Sequence, residues 1–282
     1  MKPFPRTTVG GISLPRLLIG SNWFLGWSHR GAAADAAIRE RFPEPRDFWP
    51  TISVFLDAGV DALMAPISTT PIMEQAIDYA EQKSGKRIIR IDTPGVNVED
   101  TPEGRRDAEA LIKHSAEIGS DLCLLHHTCV EKLLDKGSES IPRLPDYLSM
   151  IRDAGMIPGL SAHMPETVVY ADKCGYDVET YIQIFNCMGF LMQVEVESVA
   201  RIIHDAKKPV MTIKPLAAGR TTPYVGLTFS FGAIRECDMV TVGTSTPLEA
   251  AEDIEIAAAA IERRFPDLEA RSSPYKQRVL GH

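Results

Sequence analysis

Three titratable residues follow consecutive apolar segments of the sequence. Asp92 ends the segment IIRID, His126 follows DLCLL, and His163 follows GLSA. Imidazole and carboxylate groups transfer protons near neutral pH, and the same groups bind divalent metals. If their side chains meet, the three residues predict either an acid–base site or a metal site. For each residue taken alone, a hydrogen-bonded loop position is the simpler interpretation.

Two further residues near these positions could take part in the same chemistry. Lys214 follows the apolar segment PVMTI. A partly buried lysine there could act as a base, form a Schiff base, pair with a carboxylate or bind an anionic ligand. His127 directly follows His126. Because successive side chains of a strand face opposite sides, we expect only one of this pair to reach the site.

Short apolar segments alternate with amphipathic ones along the chain. Continuous apolar segments are typical of parallel strands that are buried on both faces. Eight strand–helix units in strict alternation predict a closed (β/α)8 barrel, also called a TIM barrel, with an open doubly wound sheet as the alternative. The strands are expected at 17–20, 61–65, 87–91, 121–125, 157–161, 181–185, 209–213 and 239–242, and the helices at 46–59, 71–83, 102–118, 144–154, 165–174, 194–205, 222–236 and 247–264.

The length of the chain fits one such barrel. It has 282 residues, and about 250 are typical of the architecture. We expect a single domain over residues 1–282, in which 265–282 form a C-terminal tail. The longest stretch without a predicted element is 25–45. Active sites of these barrels lie at the C-terminal ends of the strands, so positions 92, 126, 163 and 214 are expected at one rim.

The acidic composition limits the partners. A net charge of −8 and a pI near 5.4 disfavour nucleic acid and anionic membranes, which require basic patches. No apolar run approaches the ~18 residues of a membrane span, and Pro15 and Arg16 interrupt the apolar stretch near the N-terminus. The five cysteines form no CxxC pair, which predicts reduced thiols. We therefore expect a cytoplasmic protein that acts on a small-molecule substrate, as a monomer or a homo-oligomer.

The segment VGTSTPLE precedes the last predicted helix. Thr246 is expected to cap this helix, with Pro247 in its first turn and Glu249 three residues after the cap. Gly243 permits a close approach of the backbone. The same residues could instead bind an anion, because a helix N-terminus presents free N–H groups. The sequence leaves both interpretations open.

Taken together, these segments resemble the aldo/keto reductases. The most specific likeness is DLCLLHH followed by AGMIPGLSAHMPE, which is similar to the family's D-x-x-x-x-H in strand 4 and G-x-S-x-H in strand 5. GISLPRLLIGSNWFLG, YIQIFN, KPLAAG and VGTSTP extend the resemblance over most of the chain. It implies the family's barrel and an NAD(P) cofactor. Ser161 and Gln183 would contact the nicotinamide carboxamide, while Gly243, Thr244 and Ser245 would belong to the phosphate loop.

The catalytic residues of that family are matched only in part. Its reductases use an Asp, a Tyr, a Lys and a His, and His126 matches the histidine. Met64 stands at the Asp position and Thr69 at the Tyr position, while the Lys position falls at Asp92 or Thr93. The resemblance therefore implies the fold of the family more directly than its reaction.

The cofactor pocket also departs from the family pattern. Ala162 replaces the Asn that helps to hold nicotinamide. Leu248, Glu249 and Glu252 stand where a basic residue and an Asn read the adenosine 2′-phosphate. Carboxylates at these positions would repel that phosphate.

Three functions are consistent with these residues. The first is an enzyme with Asp92, His126, His163 and Lys214 as catalytic residues. It would perform acid–base or metal-assisted chemistry on a small polar substrate such as a sugar or hydroxy acid, as an isomerase, epimerase, lyase or hydrolase does. A divalent metal would be held by the Asp and the two His. The second is an NAD(P)-dependent oxidoreductase, and the third is a non-catalytic ligand-binding barrel.

Overall fold

A β-hairpin that the sequence analysis did not predict precedes the barrel. The computed structural model describes residues 3–268. Strand β1 (Arg6–Val9) pairs antiparallel with β2 (Ile12–Pro15) through Gly10 and Gly11, which both have positive φ, as a two-residue hairpin turn requires. Val9 and Leu14 pack in one cluster with residues of the barrel interior. The hairpin therefore covers an end of the barrel with apolar side chains.

Eight parallel strands form a closed barrel. They follow one another in chain order, and the last strand pairs with the first. This confirms the predicted (β/α)8 fold and excludes the open sheet. The barrel strands are β3 (Leu17–Gly20), β4 (Ala62–Ala65), β5 (Ile89–Asp92), β6 (Leu122–Leu125), β7 (Ile157–Ala162), β8 (Thr180–Ile184), β9 (Val210–Ile213) and β10 (Met239–Val242).

Helices surround the barrel, and each of the eight predicted ones is present within residues 3–268. Three short helices were not predicted: α1 and α2 near the stretch 25–45, and α6 directly after β6. The helices are α1 (Asn22–Leu25), α2 (Ala32–Arg41), α3 (Trp49–Asp57), α4 (Pro71–Ser84), α5 (Pro102–Glu117), α6 (His127–Leu133), α7 (Leu144–Asp153), α8 (Glu166–Cys174), α9 (Val196–Asp205), α10 (Pro223–Ala233) and α11 (Pro247–Glu262).

Side chains alternate along each barrel strand between the barrel interior and the layer of helices. On β5, Ile91 packs in the interior cluster, whereas Arg90 turns outward and donates to Asp78 and Glu81 of α4, at 2.7 Å each. The outward residues pack into two larger clusters with the helices. This alternation decides which residues can face the C-terminal opening.

Three further predictions concern membrane spans, the cysteines and the C-terminal tail. No helix among residues 3–268 combines the length and the hydropathy needed to cross a membrane. The five cysteines are free thiols. Of the predicted tail, positions 265–268 follow the last helix without regular structure. The remainder of the tail lies outside the described residues.

A buried ion pair links the last two barrel strands. Asp238 is fully buried, and its carboxylate accepts the backbone N–H of Val210 at 2.8 Å and two N–H groups of the Arg235 guanidinium at 2.7 and 2.9 Å. The guanidinium also donates to the carbonyl of Lys208 at 2.8 Å. The carboxylate is fully buried, whereas the side chain of Arg235 is 19% exposed.

We expect Asp238→Asn to lower the free energy of unfolding by about 1.5–3 kcal/mol, because the buried side chain loses its charge-assisted hydrogen bonds to the half-buried Arg235 guanidinium. Urea unfolding followed by circular dichroism measures this loss. The control is Asp57→Asn, which breaks an exposed pair with Lys86 and should change stability by less than about 0.5 kcal/mol. Equal effects of the two changes would contradict the assignment.

Candidate functional site at the barrel mouth

A cavity of about 780 Å³ opens at the C-terminal ends of the barrel strands. Its wall includes inward-facing strand residues such as Ile182 and Thr241, and residues of the loops that follow the strands. His29 and Arg30 come from the loop after α1, and Lys214 follows β9. The cavity is large enough for a small metabolite and has several polar groups in one wall, as ligand sites do.

Three imidazole rings lie side by side in the cavity wall. The rings of His127 and His163 are stacked, with centroids 3.6 Å apart and an interplanar angle of 18°. The ring of His126 lies 4.3 Å from that of His127. Both members of the pair line the cavity, so the expectation that only one would do so is wrong. Strand β6 ends at Leu125, and strand alternation does not continue into helix α6.

Burial keeps these imidazoles uncharged at neutral pH. Desolvation, together with electrostatic repulsion from His127 and Lys214, lowers the pKa of His163 to about 3. The same causes lower the pKa of His126 to about 4. Burial also lowers the pKa of His127, but the carboxylate of Glu131 opposes this shift. A neutral imidazole can accept a proton at one nitrogen and donate a hydrogen bond from the other.

Glu131 connects helix α6 to the end of β7. Its Oε1 accepts the backbone N–H groups of His163 and Met164, at 2.7 and 2.9 Å. Its Oε2 lies 3.6 Å from Nδ1 of His127, just beyond hydrogen-bond distance. Neither Glu131 nor the role of His127 in the site was predicted from the sequence. Their i,i+4 spacing was the available signal, but it becomes visible only once helix α6 is known.

The contacts of His126 indicate which ring nitrogen carries its proton. Nδ1 lies 2.9 Å from Oγ1 of Thr128 and 3.5 Å from its backbone nitrogen. A backbone N–H can only donate, so we assign Nδ1 as the acceptor and place the ring proton on Nε2. In this tautomer His126 is a hydrogen-bond donor at its free nitrogen.

Lys214 contributes the cation of this group. Its Nζ lies 3.2 Å from Nε2 of His29, and burial lowers the pKa of Lys214 to about 8. Burial also lowers the pKa of His29. Both residues have positive φ, 60° for Lys214 and 56° for His29, which is uncommon for residues other than glycine. Strained backbone of this kind clusters at functional sites.

Asp92 does not join the imidazoles. The alternation along β5 turns it outward, and its carboxyl is fully buried between the barrel and the helices, whereas Thr93 lines the cavity. The N–H of Ser68 donates to its Oδ1 at 3.3 Å, and burial raises its pKa. The expected convergence of Asp92 with His126 and His163 is therefore wrong, although the two histidines do share the mouth.

The expected metal site is not formed by these residues. Within residues 3–268, no three His, Cys, Asp or Glu side chains are grouped so that they could hold a metal ion. Asp92 points away from the cavity. The stacked rings of His127 and His163 present their faces, rather than their nitrogens, to each other. A metal bound by Asp92, His126 and His163 is therefore incompatible with this geometry.

The structure brings together only part of the expected cofactor pocket. Ser161, Gly243 and Thr244 line the cavity. Gln183 is fully buried, and it faces away from the cavity because its neighbour Ile182 faces inward. Ser245 is buried beside the cavity without lining it.

The N-terminus of α11 already holds a carboxylate. The backbone N–H and the hydroxyl of Ser245 donate to Oε2 of Glu249, at 2.9 and 3.1 Å. Oγ1 of Thr246 accepts the N–H of Glu249 at 3.1 Å, which confirms the predicted helix cap. Glu252 and Asp253 line the cavity nearby. This acidic end does not fit the phosphates of a nicotinamide dinucleotide.

Comparison with known structures supports the architecture. A protein of Pseudomonas aeruginosa proposed to be an aldo-keto reductase is 17% identical, with a TM-score of 0.64 over 92% of this chain and 98% of that one. A thermostable aldo-keto reductase solved with the inhibitor epalrestat is 13% identical, with a TM-score of 0.59 over 98% of both chains. Rubisco from Pyrococcus horikoshii is 13% identical, with a TM-score of 0.51 over 84% of this chain and 61% of that one.

These likenesses show a (β/α)8 barrel, at the level of the fold alone. No protein-family model matches the sequence, and the search of curated proteins gave no match.

We expect neither NADH nor NADPH to bind at millimolar concentration, because Glu249 occupies the N–H and hydroxyl donors that a phosphate would need. Equilibrium titration of cofactor fluorescence tests this. Glu249→Gln removes one charge at nearly the same volume and is the matched variant in which any latent affinity should emerge. Micromolar binding by the unaltered protein would refute this interpretation of the acidic end.

The neutral imidazoles also predict a pH dependence of stability. Between pH 7 and pH 5 the unfolded chain binds protons at its histidines, whereas His163, with a native pKa of about 3, does not. Acidification therefore favours unfolding through this residue. The raised pKa of Asp253, about 8, acts in the opposite direction over the same range. The contribution of His163 is therefore tested by comparing the pH dependence of stability in the unaltered protein and in a variant that lacks this imidazole.

We expect the stability lost from pH 7 to pH 5, measured by urea unfolding, to be smaller in His163→Gln than in the unaltered protein. The exposed His204, changed to Gln, is the control. Identical losses in the unaltered protein and in His163→Gln would show that His163 is not held neutral.

Proposed function

We propose that the protein is a small-molecule enzyme that moves a proton on a small anionic substrate, as an isomerase, epimerase or lyase does. The observation that carries this proposal is one shared cavity lined by neutral His126, His127 and His163 together with Lys214. The set supplies a base, a hydrogen-bond donor and a cation. Those are the groups needed to remove a proton next to a carbonyl or carboxylate group.

His127 is the strongest candidate for the general base. A carboxylate beside one nitrogen of an imidazole favours its protonated form, and Glu131 is placed to do this at 3.6 Å from Nδ1. Shortening this distance by a few tenths of an ångström makes a hydrogen bond that fixes the ring. His163, stacked on the other side, holds the ring plane. A base prepared in this way has a pKa closer to the working pH than its two neighbours have.

His126 suits the complementary role of donor. Its low pKa of about 4 keeps it neutral, and the assigned tautomer directs an N–H at Nε2 away from Thr128. A neutral donor of this kind can stabilise the negative charge that develops on a substrate oxygen when a neighbouring carbon loses its proton. It does so without the cost of burying a second cation beside Lys214.

Lys214 would bind the anionic group of the substrate. Burial lowers the pKa of Lys214 to about 8, and no carboxylate among the described residues opposes this shift. A negatively charged substrate would therefore supply the missing counter-ion and raise the pKa of Lys214 towards its ordinary value. The barrels of similar fold act on small molecules as enzymes, which supports this reading at the level of the fold.

Proton exchange with solvent tests the proposal without knowledge of the product. The protein is incubated in D2O with hydroxy acids, sugar acids and sugar phosphates, and deuterium incorporation is followed by mass spectrometry. We expect one class of anionic compound to gain deuterium at carbon. His127→Gln and His126→Gln should each slow exchange by about 10²–10⁴-fold, the range of a general acid or base.

The control variant is His204→Gln, which changes an exposed histidine on α9 and should leave exchange unaltered. Exchange that survives in both His126→Gln and His127→Gln would exclude these residues as the acid and base. Tight binding of an anion with no exchange and no turnover would favour the non-catalytic ligand-binding barrel instead.

A further inference from the structure

Apart from Nδ1 of His127, two buried polar atoms of described residues in the cavity wall have no hydrogen-bond partner. Asp253, on α11, is 2% exposed, and its Oδ1 is unpaired; Thr244, after β10, is 3% exposed, and its Oγ1 is unpaired. Both residues border the cavity. Buried polar atoms are nearly always paired with protein, water or ligand. Two such atoms in one wall make this wall a candidate for recognition of a polar ligand.

The electrostatics of this wall restrict what that ligand can be. Glu249 and Glu252 border the cavity beside Asp253, and burial together with the charge of Glu249 raises the pKa of Asp253 to about 8. The guanidinium of Arg41, from α2, is directed to the carbonyl and hydroxyl of Ser245. Because its pKa lies above 7, Asp253 is a neutral carboxylic acid at pH 7. It can both donate and accept, as the neighbouring threonine hydroxyl can.

Groups that donate and accept at once are complementary to alcohol hydroxyls. A phosphate or carboxylate would be repelled by Glu249. An ammonium group would pair with Glu249 but would leave the acid proton of Asp253 without an acceptor. A hydroxyl can accept that proton and donate its own to a carboxylate. The wall is therefore better suited to hydroxyls than to either kind of ion.

We propose that Thr244, Glu249 and Asp253 bind hydroxyl groups of a polyhydroxylated carboxylate, a sugar acid, whose carboxylate lies toward Lys214. This inference rests on the proposed function for the Lys214 end and names the substrate class of that site. The cavity offers a cation at Lys214, after β9, and neutral and acidic hydrogen-bonding groups after β10 and on α11. A sugar acid that meets both would have its carboxylate at Lys214 and its hydroxyls at α11.

Matched six-carbon carboxylates test the proposal on the full chain. Gluconate, galactonate and mannonate carry hydroxyls, hexanoate carries none, and 6-aminohexanoate ends in an ammonium group. Binding is measured by calorimetry and ligand-observed NMR. We expect at least one of the polyhydroxylated acids to bind more tightly than both hexanoate and 6-aminohexanoate.

Substitutions in the wall separate hydroxyl recognition from charge recognition. Thr244→Val and Asp253→Leu should each weaken the sugar acid about 3- to 10-fold, the effect of one hydrogen bond. Asp253→Asn keeps a donor and an acceptor, so it should retain the affinity of the unaltered protein. Thermal unfolding confirms that each variant is folded. If Asp253→Leu does not fold, Thr244→Val still tests the proposal, because valine and threonine are nearly isosteric.

Two results would overturn the proposal: no sugar acid binds, or Thr244→Val leaves its affinity unchanged. Preferred binding of 6-aminohexanoate that is lost in Asp253→Asn would overturn it too, because the wall would then be a cation site. A failure of the proposed function can be distinguished from a failure of the hydroxyl subsite. If sugar acids bind with the expected dependence on Thr244 but exchange no proton in D2O, the hydroxyl subsite stands and proton transfer does not.

Discussion

Side-chain alternation along eight parallel strands is the constraint on which the arrangement of this mouth depends. In a closed barrel each strand can present only every second residue to the interior. On β5 this places Thr93 at the cavity and turns Asp92 into the helix layer. On β7 it places Ser161 and then His163 at the cavity. The chemistry available at the rim therefore depends on strand register as much as on residue type.

The environment of the mouth is unusual in its balance of charge. Lys214 and the imidazoles are half-buried together, and the resulting desolvation lowers their pKa values. The carboxylates of the cavity are instead gathered on α11, where Glu249 already binds Ser245. The cavity thus combines a cation with acidic groups. A ligand that carries both an anionic group and hydroxyls matches both.

Much of the architecture could be predicted from the sequence, since apolar segments that alternate with amphipathic ones specify parallel strands and helices. The helix cap at Thr246 also followed from local residues. Helix α6 could not be predicted, because it is short and interrupts the β6–α7 connection. Without it, strand alternation wrongly excluded one histidine of the His126–His127 pair. The orientation of Asp92 depended on a strand parity that the sequence alone did not determine.

The central claim is that the mouth contains neutral, pre-oriented imidazoles. Long-range ¹H–¹⁵N NMR of the histidine rings tests it most directly, since ¹⁵N shifts distinguish the two neutral tautomers from the imidazolium ion. At pH 6 the account predicts neutral rings for His126 and His163, with the proton of His126 on Nε2. Imidazolium signals for these two residues at that pH would contradict it.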